Sequence, residues 1–497
     1  MSFNSFNFLF FFLIVVCIYY IIPNRIRYIW LLICSYYFYM SWNAKYVILI
    51  MISTIVTYFA ARILEYINNL DIKNCKKKNF KIVCMVSSIL INFAILFTFK
   101  YYNFVSYSIM EVSRRFGINH DFSQLNLLLP VGISFYTFQA IGYTIDVYRG
   151  DIYAEKNILK YALFVSFFPQ LVAGPIERSK NLLKQLSKEV RPDYLKIRLG
   201  FLTMLWGYII KMVIADRIAV FVTVVYENYE AYHGICLALA TVLFAVQIYC
   251  DFAGYSYIAM GAARVMGIEL MENFNAPYFS KSCSEFWRRW HISLSSWFKD
   301  YLYIPLGGNR KGRLRQYINV MITFTVSGLW HVANWTYVVW GMLNGFYQVV
   351  ENIIKHIKSR YIKTEHSKIN FFKPIIKIII TFILVDFSWI FFRAQNVSEA
   401  FAITDKIISL NTFRGINAEV FRYTGLYTRD FVILAVFIAI LLIFDMLKTK
   451  GINCIERIEK SNFLIRQIIY IAGVTAIIIW GMWGNGYDAA SFIYFQF

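Results

Sequence analysis

The chain has 497 residues, is 59% hydrophobic and carries a formal net charge of +21. Its mean hydropathy of +0.52 excludes a soluble domain with a single anchor, because apolar runs recur along nearly the whole length. The runs are continuous rather than alternating, so they predict membrane-spanning helices and not a barrel, the two folds that satisfy a backbone in lipid.

In chain order, spans are predicted at Phe6–Ile22, Arg27–Trp42, Tyr46–Ile67, Phe80–Phe99, Leu127–Tyr148, Leu199–Tyr226, Gly234–Ala259, Phe372–Phe392, Phe431–Leu447 and Ile465–Met482. The first run has no Lys or Arg before it and no small-residue cleavage site after it, which predicts a retained helix. Basic clusters at Lys73–Lys81, Arg178–Arg198, Lys281–Arg315, Lys355–Lys377 and Lys448–Arg466 are expected in the cytoplasm, and the acidic stretch Glu227–His233 outside. The sides alternate if Tyr161–Gly174 is re-entrant and Tyr317–Val350 is a hairpin, which puts both chain ends outside. No repeat or linker interrupts the chain, so one membrane domain is expected over 1–497, with a core at about 125–350 and peripheral helices at 1–100 and 372–497. Proline and glycine punctuate Leu129–Gly132, Phe168–Pro175 and Ile304–Gly308, as in broken helices that line a cavity or pack inside protein.

The positive charge follows from the positive-inside rule; an anionic polymer or acidic carrier as partner is compatible with it. Nothing supports nucleic-acid binding. The eight cysteines show no C-x-x-C spacing. Cys17, Cys34 and Cys84 read as buried small hydrophobes. Cys283 is a conceivable acylation site, but packing is the favoured reading.

His331, in Ser327-Gly-Leu-Trp-His-Val-Ala-Asn-Trp335, is one of only six histidines and lies in an apolar run, where an ionisable group is costly. Tyr317 to Trp330 makes roughly 21 Å of helix, against about 30 Å of hydrocarbon. His331 is therefore expected inside the membrane, nearer its outer half, with Trp330, Asn334 and Trp335 around it. The alternative is a neutral imidazole bonded between helices.

Ser284–Asp300 reads as one amphipathic helix. Trp287, Trp290, Leu294, Trp297 and Phe298 form an apolar stripe, and Arg288, Ser295 and Lys299 a polar one. The tryptophans are expected as interfacial anchors. His291, at the border, is equally compatible with a polar role in a buried channel. The following glycine loop with Asn309, Arg310 and Lys311 suits a phosphate-bearing acyl donor, or is simply a solvated basic loop; it is not a P-loop. Asp251 is expected to pair with an arginine or polarise a histidine, and Asp386 and Glu177 to make structural ion pairs. No metal-ligand spacing, carboxylate pair or nucleophile elbow is present. A histidine with no neighbouring nucleophile points to general-base acyl transfer onto a hydroxyl, with His291, Asn334 or a tryptophan N–H such as that of Trp330 steadying the oxyanion.

Trp287–Gly312 (WRRWHISLSSWFKDYLYIPLGGNRKG) and Ser327–Trp335 (SGLWHVANW) closely resemble the membrane-bound O-acyltransferases. So do Pro130–Gln139, Phe167–Arg178, Tyr249–Leu270, Asn273–Tyr278 and Phe492–Phe497. The resemblance lies nearest the branch that acetylates alginate and peptidoglycan, and further off the teichoic-acid D-alanyl transferases. It implies an all-α polytopic fold, a ring of about 11–13 transmembrane helices with short re-entrant helices around a central funnel. It implies His331 as catalytic residue and His291 as the second signature residue, towards the cytoplasm. It also implies no bound cofactor, a cytoplasmic acetyl-CoA or carrier-protein thioester as donor, a polysaccharide acceptor, and a separate extracytoplasmic SGNH-type transferase as partner in a bacterial cytoplasmic membrane. Val332 and Asn344 stand where many alginate-type relatives have glycine and histidine. D-alanyl transfer and carrier transport are the alternatives, although no related halves of a transporter are evident.

Overall fold

The computed structural model describes residues 1–71, 73–118, 122–172, 174–361, 372–409 and 425–482; the Phe492–Phe497 motif lies outside them. The described residues contain helices and no strand, so the protein is an all-α, multi-pass membrane protein. Six helices are long and apolar enough to cross a membrane: Ala44–Asn69, Asn74–Arg115, Gly234–Val265, Phe372–Arg393, Thr428–Thr449 and Phe463–Trp480. The chain forms two compact units, Met1–Phe201 with Ala259–Met271, and Leu202–Ile258 with Glu272–Phe497.

In the first unit, the helix predicted from Leu127 starts only at Ile133. Pro130 offers no N–H, and Gly132 is left-handed at φ +72°, where a Cβ would run into the Leu171 carbonyl. The segment expected to be re-entrant is a broken helix, Ile158–Ser166 followed by Phe168–Leu171. Backbone freed by a break in an apolar interior must be bonded. Gln139 and Gln170 both donate to the Phe164 carbonyl, at 2.6 and 2.8 Å, and Phe168 N–H donates to Ser35 Oγ at 3.1 Å. Glu177 is buried and accepts from Met271 N–H (2.5 Å) and Asn181 (3.0 Å), so it ties backbone segments together.

In the second unit, two features frame the site. The first is a crossing at Gly207 and Gly254, where a Cβ on either would meet the other's carbonyl at 2.7–2.9 Å. One turn on, a π-helical segment, Ile209–Ala215, carries Lys211. Lys211 is buried between Asp251 (2.5 Å) and Asp216 (2.7 Å). Asp251 thus pairs with a lysine that was not foreseen, because the extra residue of the π turn re-aims Lys211 inward. Asp386 makes no ion pair among the described residues. Two further π-helical segments, Phe97–Tyr101 and Lys299–Tyr303, also hold a lysine each.

The second feature is the predicted hairpin. The inbound helix is Arg313–His331 and the return helix Trp335–Tyr361. A Cβ on Gly328 would strike the Tyr337 carbonyl, and one on Gly341 the Phe324 carbonyl. The two backbones therefore touch, and in lipid such close packing is what holds helices together.

Candidate active site

The sequence read as one helix at Ser284–Asp300 is two, Cys283–Arg289 and Ile292–Phe298. Between them, His291 is left-handed at φ +43°. A non-glycine residue there is strained and persists only when its surroundings over-determine it. Asn273 does this: its carbonyl accepts from Ile292 N–H at 3.0 Å, and its Oδ1 accepts from Ser293 N–H (3.3 Å) and Ser293 Oγ (2.6 Å). Asn275 N–H donates to the Arg289 carbonyl at 3.0 Å. The helical stripe does not survive the break, and the expected interfacial anchoring is corrected with it. Trp287, Trp290 and Trp297 are 6%, 1% and 6% exposed, and His291 is 0% exposed.

The break turns His291 towards the end of the inbound helix, where His331 is the last residue and 6% exposed. The two imidazole rings lie 6.2 Å apart. Aromatic rings close around them. Phe252 lies edge-on to His291 at 4.6 Å, and Trp330 and Trp340 edge-on to His331 at 5.0 and 5.2 Å. Phe392 lies 5.8 Å from His331. Trp389 backs this box, 5.6 Å from Trp340 and 5.1 Å from Trp290. Such a shell lowers the local dielectric around both imidazoles, which strengthens any polar contact made inside it.

Beside the box is a cavity of about 270 Å³. Trp287, Arg288, Ser295, Lys299, Ser327 and Gln348 are among its lining residues. Arg288 and Lys299 are exposed and make one side cationic, and Gln348 Nε2 is a buried donor with no hydrogen-bond partner among the described residues. Ser327 stands one helical turn before His331 on the inbound helix, so the cavity reaches within about 6 Å of axial rise of the box.

The predicted residues thus fall into separate groups. His291, His331, Trp330 and, at its outer wall, Trp290 form the box. Trp287, Arg288 and Ser295 line the cavity. Asp251 belongs to the buried ion cluster, but the next residue, Phe252, touches His291. Asn334 is engaged at the start of the return helix: its amide donates to the Gln395 carbonyl at 3.1 Å and its Oδ1 caps Thr336 N–H at 3.0 Å. Asn309 and Arg310 sit on an exposed loop, outside the cavity lining, anchored where Asn319 donates to the Gly308 carbonyl at 2.9 Å. Burial pushes the Cys283 thiol up to about 12, so it stays protonated and packs rather than reacts. Phe252, Trp340, Trp389 and Phe392 were not foreseen, and Asn344 stood out only as a departure from alginate-type relatives. The sequence signal for Trp340, Trp389 and Asn344 is that tryptophan and polar residues recur inside apolar runs; the two phenylalanines carry none.

Residues 153–392 match the family described as MBOAT, membrane-bound O-acyltransferase family. A Pseudomonas aeruginosa protein named "Probable alginate O-acetylase AlgI" is 36% identical over 86% of this chain and 78% of its own. A Helicobacter pylori peptidoglycan O-acetyltransferase is 33% identical over 77% of this chain and 74% of its own. A Bacillus subtilis teichoic acid D-alanyltransferase is 28% identical over 54% and 70%. The chain belongs to the membrane-bound O-acyltransferase family and is an acyltransferase.

Proposed function

We propose that this membrane-bound O-acyltransferase moves an acetyl group from a cytoplasmic thioester to a hydroxyl for O-acetylation of an extracytoplasmic polysaccharide. The observation that carries the reading is the meeting of His291 and His331 at 6.2 Å in a closed aromatic box beside a cavity with a cationic side. His331 takes the acceptor hydroxyl proton as its oxygen attacks the thioester carbonyl. The oxyanion that forms is steadied by a donor from His291 or the Trp330 indole. Collapse breaks the C–S bond, and the imidazolium returns its proton to the departing thiolate. No serine or cysteine intermediate is required.

On the donor side, Arg288 and Lys299 suit the phosphate of a pantetheine-type thioester, supplied by acetyl-CoA or by a carrier protein. Asn309 and Arg310, on the neighbouring basic loop, suit the more distant part of that donor. The polysaccharide acceptor is supported by the names of the relatives, probable alginate O-acetylase and peptidoglycan O-acetyltransferase. An extracytoplasmic SGNH-type transferase would complete delivery. D-alanyl transfer is the second reading; the lower identity and coverage of the teichoic-acid relative favour acetyl.

The test is mass analysis of surface polysaccharide from cells carrying the wild type, no copy, or His331→Ala. Loss of O-acetyl groups in the last two, with the variant protein still inserted, is the expected result. Unchanged acetylation with His331→Ala overturns the mechanism, and loss of D-alanyl esters instead selects the second reading.

A further inference from the structure

Asn344 is 1% exposed in the return helix, and its amide is bonded at both ends. Its Oδ1 accepts from Trp287 Nε1–H at 3.1 Å. Its Nδ2 donates to the Trp340 carbonyl at 2.9 Å and to Ser388 Oγ, on Phe372–Arg393, at 3.2 Å. The orientation of the amide follows from its partners, because an indole N–H only donates and a backbone carbonyl only accepts. A buried asparagine is costly unless bonded in this way.

What Asn344 holds is one wall of the cavity. Trp287 lines it, and the same ring lies edge-on to Trp340 at 5.5 Å. Trp340 in turn lies edge-on to His331 at 5.2 Å. Among the cavity residues, Trp287 is therefore a direct link from the lining to the rings around His331. An indole with no acceptor for its buried N–H would rotate to find one, and would carry the wall with it.

We propose that Asn344 is a positioning residue, which fixes Trp287 as the inner wall of the donor cavity and so sets how the thioester carbonyl approaches His331. The proposal rests on the acyl-transfer reading above. Ser388 braces the amide from a second helix, the one that also carries Trp389 and Phe392, so wall and box are tied to one node.

The experiment uses the full-length protein in lipid nanodiscs, with S-acetyl-N-acetylcysteamine as a small donor probe, an oligosaccharide acceptor, and thiol release as readout. Asn344→Leu removes the acceptor. Trp287→Phe keeps a ring and removes only the N–H function and the second ring, and serves if Asn344→Leu does not fold. Each is expected to lower kcat/KM for the donor roughly fivefold to tenfold, the size of one buried hydrogen bond, with acceptor KM unchanged. Combined, they should cost no more than the larger single loss, because both cut the same link. Ser388→Ala, which leaves the indole bond in place, should stay within about twofold. Multiplicative losses in the double variant, or Trp287→Phe at the wild-type rate, overturn the proposal. A wild type without His331-dependent thiol release would instead overturn the acyl-transfer reading itself.

Discussion

His331 and His291 meet in one box but are delivered by opposite means. His331 ends a regular helix of 19 residues, held against its partner helix by glycines where the backbones touch. His291 sits in a left-handed break between two helices of seven residues each, held by hydrogen bonds that Asn273 accepts. One ring is positioned by van der Waals contact along a long element, the other by a few polar bonds at one point. The first arrangement should tolerate loss of polar groups and fail on added bulk; the second should do the reverse.

Four variants sharpen or break this contrast. The largest effect belongs to His331→Ala, expected to lower acyl transfer about 10²- to 10⁴-fold, as for loss of a general base; wild-type kinetics would remove the basis for comparing the two histidines. Next, Gly328→Ala should force the hairpin apart at Tyr337, costing about 1–3 kcal/mol for overpacking, read as a lower midpoint in thermal unfolding together with lost activity. A neutral result would mean that the hairpin is not held by its close approach. Asn273→Ala should leave the Ser293 hydroxyl and N–H unmatched, at about 1–3 kcal/mol, and reduce activity with the hairpin intact. If cysteine cross-linking across the hairpin also changed, the two positions would not be independent. The smallest effect is expected for Asn334→Ala, a lost helix cap worth about 1 kcal/mol, with turnover unchanged. A large kinetic defect there would give Asn334 the oxyanion role proposed for His291 or Trp330.

Regular elements were legible from residues alone. The hairpin was visible because an apolar run of twice the spanning length contains SGLWHVANW at its middle, and His331 stood out as an ionisable group in hydrocarbon. The re-entrant segment was visible from its prolines and glycines. What escaped depended on partners far along the chain. Nothing local in WRRWHIS signals a left-handed histidine, since the strain is compensated by Asn273, which precedes the motif. Asp251 meets Lys211 only because a π turn shifts the lysine around its helix, and periodicity at 3.6 residues per turn assumes that no such turn occurs. Asn334 looked available because its neighbours were aromatic; that its amide faces the Gln395 carbonyl is a tertiary fact.

The three π-helical segments among the described residues have a consequence for how this chain can change. Each behaves as a single residue inserted into an ordinary helix, and each includes a lysine: Lys100, Lys211 or Lys299. Deleting one residue from such a segment would restore the α-helical ladder and leave the flanking turns nearly in phase, because about five residues at π pitch turn through the same angle as about four at α pitch. For Lys211 the deletion would remove the widened turn that aims the cation at Asp216 and Asp251, so the damage would centre on that ion cluster. Single-residue deletions here should therefore disturb the rest of the helix far less than deletions in its regular turns, so alignment gaps among natural variants ought to collect at these segments.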